Sequence, residues 1–274
     1  MNLTPFDSND LDHFCIAGQS WKEWRASYQQ VGVSCDDNLW IAPSDLSALQ
    51  SAGAAAVLKR DGAVLAMIGA DAQCCEPVEV EASEGTFVID YAWDLLRVCE
   101  QVVGAMQSSL IEGEVHERAT IEGEIKVGAG TRLLPGVFIE GNVTIGQNCK
   151  IGPNCYIRGN TSIGDGCHIG NAVEIKNSII GNHSNVGHLS YVGDSILGHN
   201  VNLGSGTTTS NFRHDGKNHR SMVDGTLVDT GRRKFGAIIA DNVNTGINSS
   251  IYPGRKIGKN VTTLPGEVIS IDKV

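Results

Sequence analysis

The run from Val115 to Ile175, VHERAT IEGEIK VGAGTR LLPGVF IEGNVT IGQNCK IGPNCY IRGNTS IGDGCH IGNAVE I, decides the fold. A bulky aliphatic residue heads every hexad: Val115, Ile121, Val127, Leu133, Ile139, Ile145, Ile151, Ile157, Ile163, Ile169 and Ile175. A period of six fits neither the 3.6 of a helix nor the simple alternation of a half-buried strand, and a fixed-period repeat outranks any local reading. It predicts a hexapeptide β-helix, in which three short strands joined by bends make one triangular coil. The aliphatic residue fills the prism. The position four further on is interior but cramped, and it holds Thr131, Val137, Val143, Cys149, Cys155, Thr161, Cys167 and Val173. Glycine after the aliphatic residue, as at Gly128, Gly146 and Gly164, suits a corner where backbones approach closely.

Working outward, the register shortens by one residue after Ile175, continuing as Ile180, Val186 and Val192, and again at Leu197 and Leu203. It resumes at Ile239, Thr245, Ile251, Ile257, Thr263 and Ile269. Between lies an insertion, 211–234, rich in Arg213, His214, Lys217, His219, Arg220, Arg232, Arg233 and Lys234. Insertions in solenoids become loops on one face, often the binding face.

Residues 1–106 read as a separate small α/β segment and 107–274 as the β-helix. Ser20 is the expected cap of a helix carrying Trp21, Trp24 and Tyr28, stopped by Gly32. Leu39 to Ala42 and Ala54 to Leu58 read as strands around a short helix begun at Ser44. Asp61-Gly62 makes a hairpin turn into Ala63 to Ile68. Asp90 is expected to cap a last helix carrying Leu95, Leu96, Cys99 and Val103, which would cover the open end of the prism.

The 274 residues carry a formal charge of -10 and 41% apolar residues, ordinary for a globular chain and unsuited to general nucleic-acid binding. No run is long enough to span a bilayer, and Asp7, Asp10 and Asp12 are unlike a signal peptide, so a cytoplasmic protein with no membrane partner is expected. Among eight cysteines, Cys149 and Cys167 lie 18 positions apart, one whole coil, and are expected as buried free thiols. Cys74 and Cys75 are adjacent and match no zinc spacing. Gly128-Ala-Gly-Thr-Arg-Leu-Leu-Pro135 resembles the phosphate loop of sugar-nucleotide transferases, but Val127 and Leu133 keep it in the hexad register.

Val173-Glu-Ile-Lys176, then His188-Leu-Ser-Tyr191-Val-Gly-Asp194, Asn202-Leu-Gly-Ser-Gly206 and Asn211 resemble the acetyltransferase half of bifunctional N-acetylglucosamine-1-phosphate uridylyltransferase/glucosamine-1-phosphate acetyltransferase. Asp229 to Ile239, Gly246-Ile-Asn248 and Pro253-Gly254 are similar to its archaeal-type branch, which joins a sugar-1-phosphate nucleotidyltransferase to the β-helix. Phe87 to Leu96 resembles the last strand and helix of the nucleotidyltransferase half, so the first segment reads as a remnant without nucleotidyl transfer. The resemblance implies a left-handed hand for the parallel β-helix and a homotrimer with active sites between subunits. It also implies acetyl-CoA as cosubstrate, an amino-sugar-1-phosphate as acceptor, with glucosamine-1-phosphate expected first, and no metal; the setting is nucleotide-sugar and cell-envelope precursor synthesis.

The chemistry supports the same roles. The amine of an amino sugar must lose a proton before it attacks a thioester, and histidine titrates in the right range, so His188 is the expected general base, contributing about 10² to 10⁴ in rate. Arg158 lies one coil before Lys176, and stacked cations suit a phosphate dianion. The resemblance adds Tyr191 at the phosphate, Asn202 at the sugar and Asn211 orienting the amine. It points to Ser205 as a backbone oxyanion donor, and to Ile247 and Pro265 along the CoA path. Asp194 or Glu174 would hold the imidazole tautomer, and Lys217 and Arg220 are the insertion residues expected to reach substrate. Two other classes remain: a γ-type carbonic anhydrase using zinc on His168, His183, His188 or His199, and a non-catalytic regulatory or scaffold subunit of a sugar-nucleotide pyrophosphorylase.

Overall fold

The computed structural model describes residues 1–6, 11–69 and 76–274. Asp7, Asp10, Cys74 and Cys75 lie outside the described residues. The chain divides into two compact units, one chiefly Gln19–Asp90 and the other chiefly Tyr91–Val274.

In the first unit helix α1 (Trp21–Gln30) starts at Ser20 in a reciprocal capping box: Ser20 Oγ accepts from the Glu23 amide and Glu23 accepts from the Ser20 amide. Helix α2 (Pro43–Ser51) begins with proline at its first turn and Ala42 as cap, one step earlier than the Ser44 start expected. A four-stranded sheet runs in the order Val33–Cys35, Ala63–Ile68, Ala56–Arg60, Val78–Glu81. Asp61 and Gly62 both take positive φ, 51° and 80°, which is the type I′ geometry of the predicted hairpin. Tyr28, Val33, Leu39, Ile41, Leu49, Ala56, Leu58 and Ala66 form the core of this unit.

The second unit is a parallel β-helix with three sheets of 6, 8 and 8 strands. Pairing is at one-coil spacing and in register: Ile139 pairs with Ile157, Ile145 with Ile163, and Ile151 with Ile169. The hexad leaders from Val127 to Ile175 are each 3% exposed or less, and each contributes roughly 1.5 to 3 kcal/mol through burial. At the cramped position the side chains also bond to corners. Thr131 Oγ1 donates to the Gly146 carbonyl and Cys149 Sγ to that of Gly164. Cys149, Cys155 and Cys167 are buried free thiols; burial pushes Cys155 up to about 12, and the hydrogen bond with Cys149, then burial, raises Cys167, so both stay neutral. Gly128 to Pro135 lies within a coil, with Leu133 paired to Ile151.

Each register slip appears as a corner one residue short. Ile163 pairs with Ile180, Ile175 with Val192, and Ile180 with Leu197, each 17 positions apart. Leu197 then pairs with Ile239, so the insertion is left outside the coil. It forms an antiparallel hairpin, Arg220–Val223 with Thr226–Asp229.

Helix α3 (Asp94–Gly104) packs with this unit, and two expectations about it are corrected. Its cap is Trp93 and not Asp90, with the Asp94 carboxylate accepting from the Tyr91 amide. It also lies along the side of the prism and not over its end, because a row of corner residues in successive coils meets its length. Asn142 Nδ2 donates to the carbonyls of Val103, Gly104 and Met106, Cys99 Sγ to that of Asn160, and Asn177 Nδ2 to Glu100. Leu95, Leu96, Val98, Cys99 and Val103 are its buried residues.

Candidate active site

Strand alternation sets the outward side chains of Tyr156–Arg158, Glu174–Lys176 and Tyr191–Gly193 in two columns. The register stacks Arg158, Lys176 and Gly193 in one, and Tyr156, Glu174 and Tyr191 in the other. The cations do not face each other uncompensated, contrary to the argument from like charge. Arg158 Nε donates to Glu174 Oε1 at 2.8 Å, which raises the guanidinium further, and Lys176 Nζ lies 3.1 Å from Asp194 Oδ2. The Arg158 guanidinium also lies 5.3 Å from the Tyr156 ring centre.

Gly193 ends the first column with no side chain, and that absence makes room. A Cβ there would lie 2.3 Å from Tyr191 Oη and 2.8 Å from Asn211 Nδ2. Into this space Asn211 Nδ2 reaches, donating to Tyr191 Oη at 2.9 Å and to Asp194 Oδ2 at 2.5 Å. Burial, then the Asp194 and Glu174 carboxylates, raise the Tyr191 hydroxyl, so it stays protonated at neutral pH. Asp194 is 2% exposed and sits at a short corner with φ 50°. The structure therefore joins Lys176 and Asn211 through the Asp194 carboxylate, links Tyr191 to them through Asn211, and sets Arg158 beside them.

His188 lies at the next corner, where the sheet containing Asn185–His188 turns into the one containing Tyr191–Gly193. Its carbonyl accepts from the Ser190 hydroxyl and the Gly206 amide. The side chain is exposed and makes no hydrogen bond among the described residues. Glu174 and Asp194, expected to orient the imidazole, are instead engaged by Arg158 and by Lys176, Asn177 and Asn211. The corner recurs coil after coil. Gly206 N–H donates to His188 O, Asn248 N–H to Ser205 O, and Gly266 N–H to Ile247 O. His188, Ser205, Ile247 and Pro265 thus fall at one edge of the prism in successive coils, spaced by roughly 4.8 Å per coil. The Ser205 N–H has no acceptor among the described residues.

Other expected residues are not gathered there. Asn202 is exposed on the sheet with Asn185 and Asn244, at the opposite end of that short strand from His188. Lys217 and Arg220 are exposed on the insertion, and no side chain of the Arg158 to Asn211 group bonds to either among the described residues. His183 and His199 occupy a different corner from His188, with His199 Nδ1 accepting from the Asn182 amide. His168 pairs in register with Asn185, and burial lowers its pKa first, then Lys150 and His188. Among the described residues no three His, Cys, Asp or Glu side chains converge as metal ligands.

The sequence reading took His219 only as one of the basic residues of the insertion and gave it no role of its own; the fold buries it to 2% exposure. Its Nε2 lies 3.1 Å from the Asn211 carbonyl, which also accepts from the Phe235 amide. Gly193 was passed over as well. Only its register partners Lys176 and Arg158 mark it as a functional position.

The family described as GMPPB C-terminal domain matches residues 139–251. A bifunctional sugar-1-phosphate nucleotidylyltransferase/acetyltransferase from Sulfurisphaera tokodaii is 38% identical over 196 residues, covering 71% of this chain and 49% of that protein. The bifunctional protein GlmU of Methanococcus maripaludis strain C7 is 44% identical over 172 residues, covering 63% of this chain and 41% of its own length. The chain thus spans about half the length of the curated relatives it matches, or less. Among solved structures, a UDP-N-acetylglucosamine acyltransferase from Francisella novicida overlaps 60% of this chain and 61% of its own, at 18% identity and a TM-score of 0.27. The resemblance carried by Lys176, His188, Tyr191 and Asn211 is borne out: this chain is related in sequence to proteins named bifunctional GlmU and bifunctional sugar-1-phosphate nucleotidylyltransferase/acetyltransferase.

Proposed function

We propose that the β-helix is an acetyl-CoA-dependent N-acetyltransferase acting on an amino-sugar-1-phosphate, with glucosamine-1-phosphate as the first substrate to test. One observation carries the reading: a single edge of the prism bears His188, Ser205, Ile247 and Pro265 in successive coils, beside the face that bears Arg158, Lys176, Tyr191 and Asn211. An extended thioester laid along that edge would present its carbonyl at the histidine end.

Once the sugar ammonium has lost a proton to solvent, the exposed imidazole of His188 takes a proton from the neutral amine as its nitrogen attacks the thioester carbon. The C–N bond forms, the C–S bond breaks, and the imidazolium returns its proton to the departing thiolate. In this reading the Ser205 N–H donates to the developing oxyanion. Lys176 has two donors beyond the one on Asp194, and Arg158 keeps one terminal nitrogen beyond its Glu174 pair, which suits a phosphate shared between them. In this reading the enzyme is a cytoplasmic homotrimer, and Asn202, Lys217 and Arg220 complete a pocket against a neighbouring subunit.

A second reading, a non-catalytic regulatory subunit, draws support from the carboxylate partners of both cations and from the unoriented His188 imidazole. Incubation with acetyl-CoA and each amino-sugar-1-phosphate, with products read by mass spectrometry, separates the two. An acetylated sugar phosphate supports the enzyme; none with any acceptor favours the regulatory subunit. Elemental analysis for zinc on the same preparation tests the carbonic anhydrase alternative.

A further inference from the structure

Behind the pocket a polar chain leads away from the substrate face. Asp194 Oδ1 accepts from Asn177 Nδ2 at 3.0 Å, while Oδ2 takes Lys176 and Asn211. The same Asn177 amide nitrogen donates to Glu100 Oε1 on helix α3 at 2.8 Å. Glu100 in turn holds Arg232 of the insertion by two contacts, Arg232 Nη1 to Oε2 at 3.3 Å and Arg232 Nη2 to Oε1.

The identity of residue 177 is informative. It occupies a left-handed corner with φ 46°, and Gly159 fills the equivalent corner one coil earlier with φ 69°. Glycine therefore meets the conformational demand at this corner. Asparagine adds an amide whose two N–H groups bridge two carboxylates that would otherwise repel. The set Lys176, Asp194, Glu100 and Arg232 balances two positive and two negative charges across α3, the corner and the insertion. Packing of α3 does not need Glu100, because five buried apolar residues and three carbonyls bonded to Asn142 already fix the helix.

We infer that Glu100 and Asn177 are positioning residues of the amino-sugar-phosphate pocket, acting through Asp194 on Lys176 and Asn211. The inference rests on the acetyl-transfer reading above. It gives helix α3 a role beyond packing: it fixes the direction of the Lys176 ammonium and the Asn211 amide, and ties both to the insertion through Arg232.

The test uses the full chain with acetyl-CoA and glucosamine-1-phosphate or galactosamine-1-phosphate, whichever the wild type turns over. Asn177→Gly keeps the corner conformation and removes the bridge, and is expected to raise KM for the sugar phosphate about 5- to 50-fold while leaving KM for acetyl-CoA within about twofold. Glu100→Ala should act in the same direction. Glu100→Gln, which keeps an acceptor for Asn177, should recover part of the loss. An active wild type whose sugar-phosphate KM is unmoved in Asn177→Gly and Glu100→Ala, or whose two KM values move together, overturns the positioning role alone. A folded wild type that acetylates neither sugar phosphate overturns the acetyl-transfer reading, and the inference with it.

Discussion

Lys176 Nζ lies 3.1 Å from Asp194 Oδ2, and that carboxylate is 2% exposed. Removing one member of such a pair leaves the other without its counter-charge in a poorly hydrated corner. Asp194→Ala is therefore expected to cost about 3 kcal/mol of stability, read from urea unfolding, with Asp194→Asn costing less because it keeps an acceptor. A change below about 0.5 kcal/mol in the alanine variant would contradict this account of the corner.

Gly193 tests the pocket from the other side. Its missing Cβ is the space in which Tyr191 Oη and Asn211 Nδ2 meet. Gly193→Ala is expected to push both aside and lower kcat/KM for the sugar phosphate by at least about tenfold, a 1.4 kcal/mol effect. Retention of wild-type kinetics would show that neither group needs its present position.

The buried imidazole of His219 predicts a pH dependence. Burial is the largest cause lowering its pKa from the ordinary 6.5, against hydrogen bonds to backbone carbonyls that raise it. With the folded value depressed, the unfolded chain binds more protons just below pH 6.5, so stability is full above that pH and falls as the pH drops through the folded pKa. Arg213 and Asp194 are the charged groups that bear on it. Melting temperatures between pH 7.5 and 5.5 should fall less steeply in His219→Gln than in wild type. His168, shifted the same way, leaves part of the slope in the variant.

In the prism interior Ile157 is 0% exposed and stacked between Ile139 and Ile175. Ile157→Ala is expected to cost about 2 to 5 kcal/mol, and the urea midpoint measures it.

The coils were legible because a six-residue period repeats through Ile175 without interruption, and each later slip, as at Asn177 and Asp194, is visible as a lost residue. The capping box at Ser20 and the Asp61-Gly62 turn were equally legible, since both depend on local chemistry. Helix α3 was found, but its place was not, because only the tertiary pairing of Asn142, Asn160 and Asn177 with its length tells a side from an end. Lys176, His188, Tyr191 and Asn211 were readable through their motif. The carboxylate partners of Arg158 and Lys176 were misassigned to His188, since spacing cannot say which of several outward groups on adjacent strands a carboxylate will choose. The roles of His219 and Gly193 were not legible for related reasons: one is buried by a non-repeating insertion, and the other acts by lacking a side chain.

The central claim is tested most directly by the rate of free CoA release from acetyl-CoA with glucosamine-1-phosphate, for wild type and His188→Ala. His188 is exposed and its imidazole makes no hydrogen bond among the described residues, so the variant should keep its fold and assembly. The account predicts a fall in kcat of about 10² to 10⁴ with an unchanged melting temperature. Undiminished turnover in His188→Ala, or none in a folded wild type with any amino-sugar-1-phosphate, would contradict it.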